Sequence, residues 1–371
     1  MDESLEDLRR QIDAADDAIV EALIHRMELS ARVGGKKADK GGDAYAPSRE
    51  AQVVARVLKA NGERVSESTL SAIYAQILAA SRGVQQRVKV SYLGPEHTFS
   101  HQAARNLFVS GAEYMPTRSI TEIFRSTDCG DADYGVTPIE NSTAGTVGET
   151  LDAFVTTNSR IIAETTLAIS HNLLSKCQLH DIQTVYSHPQ ALSQCQNWLT
   201  QNLGWAERVE LVSTAVAAGR AAREEASAAI GVAAAADEHG LNLLRENIQD
   251  FANNETRFLI LGKTVNPATG HDRTAIIFSL MDRIGSLHDA LGILRQHEVN
   301  LSNLQTRPAR GQAHSGAGDY VFFAEIVGHE NDGPVSNAIQ DLRKECTLVK
   351  MLGSWPSGGV QNIWPASRVL S

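Results

Sequence analysis

The sequence predicts a multidomain protein with an all-α region, an α/β region and a small α+β region, because its hydrophobic period changes along the chain. Apolar residues recur at helical spacing between positions 5 and 86, and short β-like runs alternate with helical stretches from Val88 onward. This alternation predicts a largely parallel sheet. After the turn-rich segment KTVNPATGHDR, the predicted elements follow the ferredoxin-like order β-α-β-β-α-β. We expect domains at 1–87, 88–265 and 272–356.

The overall composition restricts the classes of function. A hydrophobic fraction of 42% suits a globular protein, and a formal net charge of -10 argues against nucleic acid or an anionic membrane as a partner. No apolar run follows Met1 and no segment is long enough to span a bilayer, so we expect a cytoplasmic protein. The cysteines form no CxxC pair, so neither a disulfide framework nor a metal site is expected for Cys129, Cys177, Cys195 and Cys346.

The first region reads as three helices, interrupted by the glycine-rich stretch GGKKADKGGDAYAP, which we interpret as a loop. The apolar stripe expected to be buried in the first helix consists of Leu5, Leu8, Ile12, Ile19 and Leu23. The stripe of the last helix consists of Leu70, Ile73, Ile77 and Leu78. Polar side chains lie in phase with the stripes of the three helices: Arg26, Lys37, Arg49, Glu50, Ser81 and Gln85.

Three cations against one carboxylate on the buried side are unfavourable without a partner, so this set predicts an anion supplied from outside the chain. Alternatively, Arg26, Lys37 and Arg49 lie at the edges of the stripes and reach water. For any single cation the second interpretation is the better one. For the whole set we favour an anion-binding site.

The motifs LRRQID, HRMEL, GGKK and PSRE, together with Ser81 and Gln85, make this region resemble the all-helical chorismate mutases. The resemblance implies an intertwined homodimer in which a helical bundle encloses the dianionic substrate chorismate. The implied reaction is a Claisen rearrangement to prephenate. It needs no cofactor, because the protein has only to hold the compact conformer and stabilise charge on the ether oxygen.

The same resemblance assigns roles to individual residues of the first region. Arg9, Arg26 and Arg49 would bind the two carboxylates, with Arg9 serving the site of the partner chain. Lys37 and Gln85 would donate to the ether oxygen. Glu50 would bind the ring hydroxyl, and Ser81 would belong to the same substrate-binding set.

Hydroxyl or amide side chains follow the β-like runs of the second region, where helices are expected to begin. Each of them alone is explained as a helix N-cap. Together they predict an anion site, since helix N-termini that face one cleft present free N–H groups to a dicarboxylate. The residues are Thr98, Ser100, Asn141, Ser142, Thr143, Ser187, Ser213 and Thr214. The stretch NNETRFLILG adds Thr256 and Arg257 at the mouth of a buried strand.

This second region resembles the prephenate dehydratases, whose phrases occur here in order: GPEHTFSHQAA, GVTPIENSTAGTV, HNLL, YSHPQAL, STAVAA and NNETRFLILG. The resemblance implies two α/β subdomains around a cleft, as in periplasmic binding proteins, with crossings near ETTLAIS and NNETRF. It implies that Thr256 assists departure of the substrate hydroxyl, while Arg257 and helix N-termini bind carboxylate. His188 falls in a substrate-site motif, and Glu140 is either a proton donor or a structural cap.

The third region resembles the ACT domain, a small amino-acid-sensing module, through the phrases GSLHDAL and NLSNLQTRP. The resemblance implies that the effector L-phenylalanine binds between paired domains. It assigns the regulatory contacts to Ser286, Leu287, Gln305, Thr306, Arg307 and Pro308. Gln305 stands where relatives commonly have glutamate, so this site has lost a negative charge.

Taken together, the resemblances imply a bifunctional enzyme that converts chorismate to prephenate and then to phenylpyruvate, with feedback inhibition by L-phenylalanine. An arogenate dehydratase, which differs at the amino group of the substrate, is the alternative enzyme. A catalytically silent phenylalanine-binding regulator is the alternative from another class. The nearly complete polar sets at both sites favour the enzyme, because a silent protein has no reason to retain uncompensated cations in helical stripes.

Overall fold

The structure, a computed structural model, describes residues 4–38, 45–62, 64–85, 87–108, 112–251, 253–308 and 320–357. Its N-terminal region contains the three expected helices, α1 (Leu5–Ala38), α2 (Pro47–Asn61) and α3 (Glu67–Gln85). Helix α1 includes the residues GGKKA, which we expected to lie in a loop. Pro47 opens α2, where its missing N–H would have had no intrahelical partner. Residues 39–44 of the expected loop lie outside the described ranges.

The apolar stripe of α1 is largely exposed in the single chain, contrary to the expectation. Four of its five members are exposed: Leu5, Leu8, Ile12 and Ile19. Further apolar residues of α1 are exposed as well: Val20, Ile24, Leu29 and Val33. The C-terminal end of α1 approaches α3 closely, since a Cβ atom on Gly34 would lie 2.4 Å from the carbonyl oxygen of Gln85. That separation leaves no room for a side chain, so the helix contact requires glycine at this position.

The middle domain consists of two subdomains, each built on one sheet. The first contains β1 (Lys89–Leu93), α4 (Phe99–Phe108), β2 (Glu113–Thr117), α5 (Ile120–Cys129), β3 (Tyr134–Asn141), β4 (Gly145–Thr146), α6 (Gly148–Thr156) and β5 (Arg160–Ala168). The second contains β6 (Asn172–Ser175), β7 (Thr184–Ser187), α7 (Pro189–Gln194), α8 (Gln196–Asn202), β8 (Glu207–Glu210), α9 (Thr214–Ala221), β9 (Ser227–Gly231), α10 (Ala234–His239) and β10 (Asn242–Arg245). Strand β11 (Glu255–Gly262) then returns to the first sheet.

Both sheets of the middle domain are mixed rather than largely parallel as expected. The first has the order β2-β1-β3-β11-β5, with β4 paired to β3, and the second has the order β10-β6-β9-β7-β8. Strand β1 is parallel to β2 and β3, and β7 is parallel to β8 and β9. Strands β11, β6 and β10 pair antiparallel with their neighbours. Strands β6 and β11 each follow a crossing between the subdomains, and β10 is antiparallel because its neighbour in the sheet is β6.

The two crossings between subdomains confirm the expected architecture. Strand β5, which contains ETTLA, belongs to the first sheet, and the next strand, β6, belongs to the second. Strand β10 ends the second sheet, and β11 begins at Glu255 inside the phrase NNETRF. The two subdomains therefore face each other across a cleft beside β11, as the two-subdomain prediction requires.

The C-terminal domain has the predicted β-α-β-β-α-β order. Its elements are β12 (Asp272–Leu280), α11 (Ser286–Gln296), β13 (Leu301–Pro308), β14 (Tyr320–Val327), α12 (Gly333–Glu345) and β15 (Cys346–Pro356), and its antiparallel sheet has the order β13-β14-β12-β15. One face of the sheet packs on its own two helices. On the other face, Ile277 and Trp355 share a core with Phe124 and Phe154 of the middle domain. The ferredoxin-like unit is thus docked by apolar burial.

The N-terminal helices contact the middle domain near the start of α2. Tyr45 is fully buried within the core of the first subdomain, and its backbone N–H donates to the Tyr134 hydroxyl at 3.2 Å. The Ser48 hydroxyl donates to the Pro267 carbonyl at 2.9 Å.

Within the described residues, no helix combines the length and the apolar character that crossing a membrane requires.

Candidate active sites

A cavity of about 230 Å³ lies in the cleft between the subdomains of the middle domain. Seven of the twelve residues named for the second region line it: Thr98, Ser100, Asn141, His188, Ser213, Thr214 and Thr256. The other five do not line it: Glu140, Ser142, Thr143, Ser187 and Arg257. The cleft therefore brings together side chains from β3, β11 and the beginnings of helices in both subdomains.

The Thr256 hydroxyl is held in the cleft by an amide. The Asn141 side chain donates from Nδ2 to Thr256 Oγ1 at 2.9 Å, and also to Asn254 Oδ1 at 2.9 Å. Asn141 Oδ1 accepts from the backbone N–H groups of Thr143 and Ala144 at 3.1 and 2.9 Å, which fixes the amide orientation. Because the Thr256 oxygen already accepts a hydrogen bond, its own hydrogen can donate to a group bound in the cleft.

Helix starts line the cleft, partly as predicted. Thr98 Oγ1 accepts from the His101 N–H at 3.3 Å at the start of α4, and Ser213 Oγ accepts from the Val216 N–H at 3.1 Å at the start of α9. These contacts confirm the N-cap interpretation for both residues. At α7 the cap is His188, whose Nδ1 accepts from the Gln190 N–H at 3.2 Å, whereas the expected Ser187 is buried and donates to a strand carbonyl.

Asn141 does not precede a helix, because α6 begins only at Gly148. Its side chain instead stabilises the turn between β3 and β4, where residues 142–144 follow. The sequence pattern correctly indicated that the Asn141 side chain accepts backbone hydrogen bonds, but these bonds stabilise a turn and not the start of a helix. Asn and Asp form such local side-chain turns as readily as they cap helices.

A hydrogen-bonded chain across the cleft joins His171, a histidine of the family phrase HNLL, to Asn254 and Gln194, which were not predicted as site residues. Asn254 Nδ2 donates to Gln194 Oε1 at 3.0 Å, and the same oxygen lies 2.7 Å from His171 Nε2. Burial lowers the pKa of His171, although its bond with Gln194 opposes this, so the imidazole is neutral near pH 7. Asn254 and His171 occur in the phrases NNETRF and HNLL, whereas no local signal pointed to Gln194 at the end of α7.

The predicted carboxylate-binding role of Arg257 is wrong, because its side chain lies on the other side of β11 from the cleft. Its Nε donates to Glu164 at 2.7 Å, and its Nη2 donates to both carboxylate oxygens of Glu325 at 2.7 and 2.8 Å. Successive side chains of a strand point to opposite faces, so Thr256 and Arg257 cannot both line the cleft. Glu140, next to Asn141 on β3, is likewise not among the residues that line it.

Ser142 lies beside the cleft and links β3 to the segment that precedes β11. Its hydroxyl donates to the Asn253 carbonyl at 3.1 Å and accepts from the Glu255 N–H at 2.9 Å. The side chain is exposed and engaged with backbone groups. Its predicted substrate contact is therefore replaced by a structural one in this structure.

The residues predicted for the helical site converge only partly within one chain. Arg26 donates to the Ser81 hydroxyl and approaches the Ile77 carbonyl at 3.4 Å, which joins α1 to α3. The Gln85 side-chain oxygen is buried and has no hydrogen-bond partner among the described residues. Lys37 lies one turn beyond Gly34, at the end of α1 that contacts Gln85.

Two of the three predicted carboxylate-binding arginines are exposed, whereas Arg26 is half-buried between α1 and α3. Arg9 is exposed near the start of α1, and Arg49 is exposed on the first turn of α2. Arg49 contacts Gln52 on its own helix at 3.4 Å. The three arginines therefore do not surround one point within the single chain.

Glu50 has a partner that the sequence did not reveal. Arg82 donates from Nη1 to both carboxylate oxygens of Glu50 at 2.5 Å, and from Nη2 to the Leu107 carbonyl at the end of α4. Burial opposes the charge of Arg82, but Glu50 beside it raises its pKa. Glu50 is thus paired within the chain instead of being free for a ring hydroxyl. Arg82 follows Ser81 directly, and no periodicity marks it because its second contact lies in another domain.

The six predicted regulatory residues are spread over β13 and the start of α11. Ser286 and Leu287 open α11, and Gln305 donates to Asn303 Oδ1 at 3.2 Å. Arg307 forms a two-fold ion pair with Asp152 on α6 at 3.1 and 3.0 Å. Arg307 and Pro308 line a cavity of about 600 Å³ between α6 and the C-terminal sheet, whereas Ser286, Leu287, Gln305 and Thr306 lie outside it.

No group of three or more His, Cys, Asp or Glu side chains suited to a metal ion occurs in the part of the chain that the structure describes. The cysteines at 129, 177, 195 and 346 are free thiols in this structure.

Three family models match successive parts of the chain. Chorismate mutase type II matches residues 8–86, Prephenate dehydratase matches residues 90–266, and ACT domain matches residues 274–344. The order of the models is the order of the three structural units. The helical bundle, the two-subdomain cleft and the ferredoxin-like sheet each correspond to one of them.

Relatives share this organisation over nearly the full length. A bifunctional chorismate mutase/prephenate dehydratase of Aquifex aeolicus is 36% identical over 364 residues, covering 97% of this chain and 99% of that protein. Its namesake from Pseudomonas aeruginosa is 35% identical over 361 residues, covering 95% and 98%. The crystal structure of prephenate dehydratase from Arthrobacter aurescens in complex with L-Phe is 32% identical, with a TM-score of 0.67, covering 73% and 90%. The chain therefore belongs to the family of bifunctional chorismate mutase/prephenate dehydratases that carry an ACT domain.

Proposed function

We propose that this protein converts chorismate to prephenate in its helical domain and prephenate to phenylpyruvate in its middle domain. The observation that carries the proposal is the cleft in which Thr256, Asn141 and the starts of α4 and α9 surround one cavity. We retain the boundaries 1–87, 88–265 and 272–356 for the mutase, dehydratase and ACT domains, and a cytoplasmic location.

In the dehydratase step, prephenate loses its ring hydroxyl and carbon dioxide together, and aromatisation of the ring drives the reaction. Thr256 donates a hydrogen bond to the departing hydroxyl, while Asn141 holds the Thr256 oxygen in place. The N–H groups at the starts of α4 and α9, with Thr98, Ser100, Ser213 and Thr214 around them, bind the carboxylates. The N-terminus is the positive end of a helix dipole, so it attracts a carboxylate without a nearby lysine.

In the mutase step, we propose that two chains form the site. The exposed apolar face of α1 requires a covering surface, and a second copy of α1 supplies one of matching length. In such a homodimer Arg9 reaches the partner's site, where it joins Arg26 and Arg49 on the two carboxylates of chorismate. Lys37 and Gln85 donate to the ether oxygen, beside Ser81. No role for Glu50 is proposed, because Arg82 occupies its carboxylate.

We further propose that L-phenylalanine inhibits the dehydratase by binding to the ACT domain. Two findings support it: the match to the ACT family model, and a solved relative whose structure is a complex with L-Phe. The contacts proposed are Ser286, Leu287, Gln305, Thr306, Arg307 and Pro308. The proposed ligands are all small molecules, and neither nucleic acid nor a membrane is a proposed partner.

The direct test supplies the purified protein with chorismate and follows prephenate and phenylpyruvate by chromatography. Formation of both products supports the two activities. Formation of prephenate alone contradicts the dehydratase assignment. A parallel assay with supplied prephenate or arogenate measures kcat/KM for each, and preference for arogenate would replace the proposed second substrate. Binding of phenylalanine without turnover of any of these substrates would identify a silent regulator.

A further inference from the structure

A cluster of four charged side chains joins the dehydratase sheet to the ACT sheet directly behind Thr256. Arg257 on β11 bonds Glu164 on β5 at 2.7 Å and Glu325 on the ACT strand β14 at 2.7 and 2.8 Å. Arg273 on β12 approaches the same two carboxylates at 3.3 and 3.4 Å. The cluster thus has two cations and two carboxylates and is balanced in charge.

This interdomain cluster is buried, so its geometry is tightly determined. The side chains of Glu325 and Glu164 are 1% and 6% exposed, and that of Arg257 is 16% exposed. Burial works against the charge of Arg257, but Glu325 and Glu164 raise its pKa. A buried charge tolerates little displacement from its partner, because the lost attraction is not replaced by water. Arg257 is therefore anchored from both domains.

The anchored residue is the immediate neighbour of the cleft threonine. Thr256 faces the cavity and bonds Asn141, while Arg257 faces the ACT domain from the same strand. The pairing of β11 with β3 shifts register between Arg257 and Phe258, whereas its pairing with β5 is regular there, so the irregularity lies on the side of β3, the strand that carries Asn141. A contact that fixes Arg257 from behind consequently fixes the direction of the Thr256 hydroxyl.

We propose that Arg257 is a positioning residue of the dehydratase, and that Glu325 of the ACT domain is its anchor. The inference rests on the proposed role of Thr256. Glu325 never touches the cleft, and it acts by holding Arg257, which holds Thr256 against Asn141. The ACT domain is then a structural part of the dehydratase site in addition to its regulatory role.

A second interdomain ion pair provides a matched control. Arg160, at the beginning of β5, bonds Glu330 of the ACT domain at 2.5 Å. The pair crosses the same domain interface and involves a partly buried carboxylate, but among the described residues no hydrogen bond joins either of the two side chains to β11. Glu330→Gln therefore weakens domain docking without releasing Arg257.

The experiment compares Glu325→Gln with Glu330→Gln in the full chain on supplied prephenate. We expect Glu325→Gln to lower kcat roughly ten- to a hundredfold with KM changed less than about threefold, since a misplacement of about 1 Å can cost about a hundredfold. Glu330→Gln is expected to keep kcat within about twofold, as is usual for a group away from the reacting atoms. Mutase turnover in both variants verifies that the chain is folded.

Arg257→Lys is the second variant, because lysine retains the charge but cannot bond two carboxylates in the planar manner of a guanidinium. It should reproduce the loss in kcat, and combining it with Glu325→Gln should add little further loss if both act through one contact. Equal losses from Glu325→Gln and Glu330→Gln, or an unchanged kcat in Arg257→Lys, would overturn the proposal. Thr256→Val in the same assay tests the role of Thr256 separately, so the two failures can be distinguished.

Discussion

The dehydratase cleft and the helical mutase region differ in how much of a site one chain assembles. In the cleft, seven of the twelve residues named from the sequence surround a cavity of about 230 Å³. In the helical region, Arg9 and Arg49 are exposed, Glu50 is bound to Arg82, and the apolar face of α1 is in solvent. The residues of the cleft thus converge within one chain, and we propose that the helical site forms only with another copy of α1.

We attribute the difference to the chemical groups that each proposed site offers to an anion. The cleft uses N–H groups at helix starts and short hydroxyl side chains, which the backbone of one chain places directly. The helical site uses long cations on separate helices, and bringing them together costs desolvation and side-chain entropy until an anion or a partner compensates. A site made of backbone groups is therefore visible in one chain, whereas a site made of long side chains depends on assembly.

The largest expected effect comes from breaking the proposed dimer. Ile19→Lys places a charge on the exposed apolar face of α1, where a partner helix would have to bury it. Mutase turnover should fall on the order of a thousandfold, since at least one carboxylate-binding arginine and the enclosing helices leave the site. Light scattering should show the dimer dissociating into single chains, while dehydratase turnover on supplied prephenate persists.

Glu21→Lys on the same helix is the control for the added charge, because Glu21 does not belong to the apolar stripe. It should leave both the dimer and mutase turnover nearly unchanged. A monomeric Ile19→Lys variant with full mutase activity would show that one chain suffices, which would remove the contrast between the two sites.

Thr256→Val should have the next largest effect, which should be confined to the dehydratase cleft. The substitution retains the shape of the side chain and removes the hydroxyl that accepts from Asn141 at 2.9 Å. Dehydratase turnover should decrease between about a hundred- and a thousandfold, the scale of deleting one preorganised donor. Prephenate should still bind and should still be formed from chorismate at the normal rate. Unchanged turnover of supplied prephenate would remove Thr256 from the mechanism.

Lys37→Ala tests the proposed helical mutase site. If Lys37 donates to the ether oxygen, its loss should reduce mutase turnover roughly a hundredfold, because one stabilising charge disappears where negative charge develops. Dehydratase turnover measured on the same preparation should be unaffected. Parallel loss of both activities would indicate misfolding instead of a role in the helical site.

Gln305→Glu is expected to have the smallest effect, because it alters effector binding without touching either substrate. In this chain the Gln305 amide donates to Asn303 Oδ1 at 3.2 Å, and a glutamate would present an acceptor for the ammonium of phenylalanine. Calorimetric titration should show tighter binding by up to about 2 kcal/mol, the value of a charged hydrogen bond. Identical affinities would exclude the electrostatic explanation, and absence of binding heat in the parent protein would refute effector sensing.

The sequence by itself determined the type and order of most elements. Hydrophobic period is a local property, so the three N-terminal helices, the strand RFLILG and the β-α-β-β-α-β order were all predicted correctly. The caps Thr98 and Ser213 were also predicted, because each bonds a backbone group only three residues away. Strand alternation could even have shown that Thr256 and Arg257 face opposite sides.

Only the tertiary structure decided which partners the polar side chains have. Arg257 bonds Glu325 across 68 positions of sequence, Glu50 bonds Arg82 across 32, and Asn254 bonds Gln194 across 60. Strand direction was likewise undetermined, because β6 and β10 are only four residues long and both directions give the same apolar pattern. A local pattern shows that a charge must be satisfied, but the packing of distant elements selects the group that satisfies it.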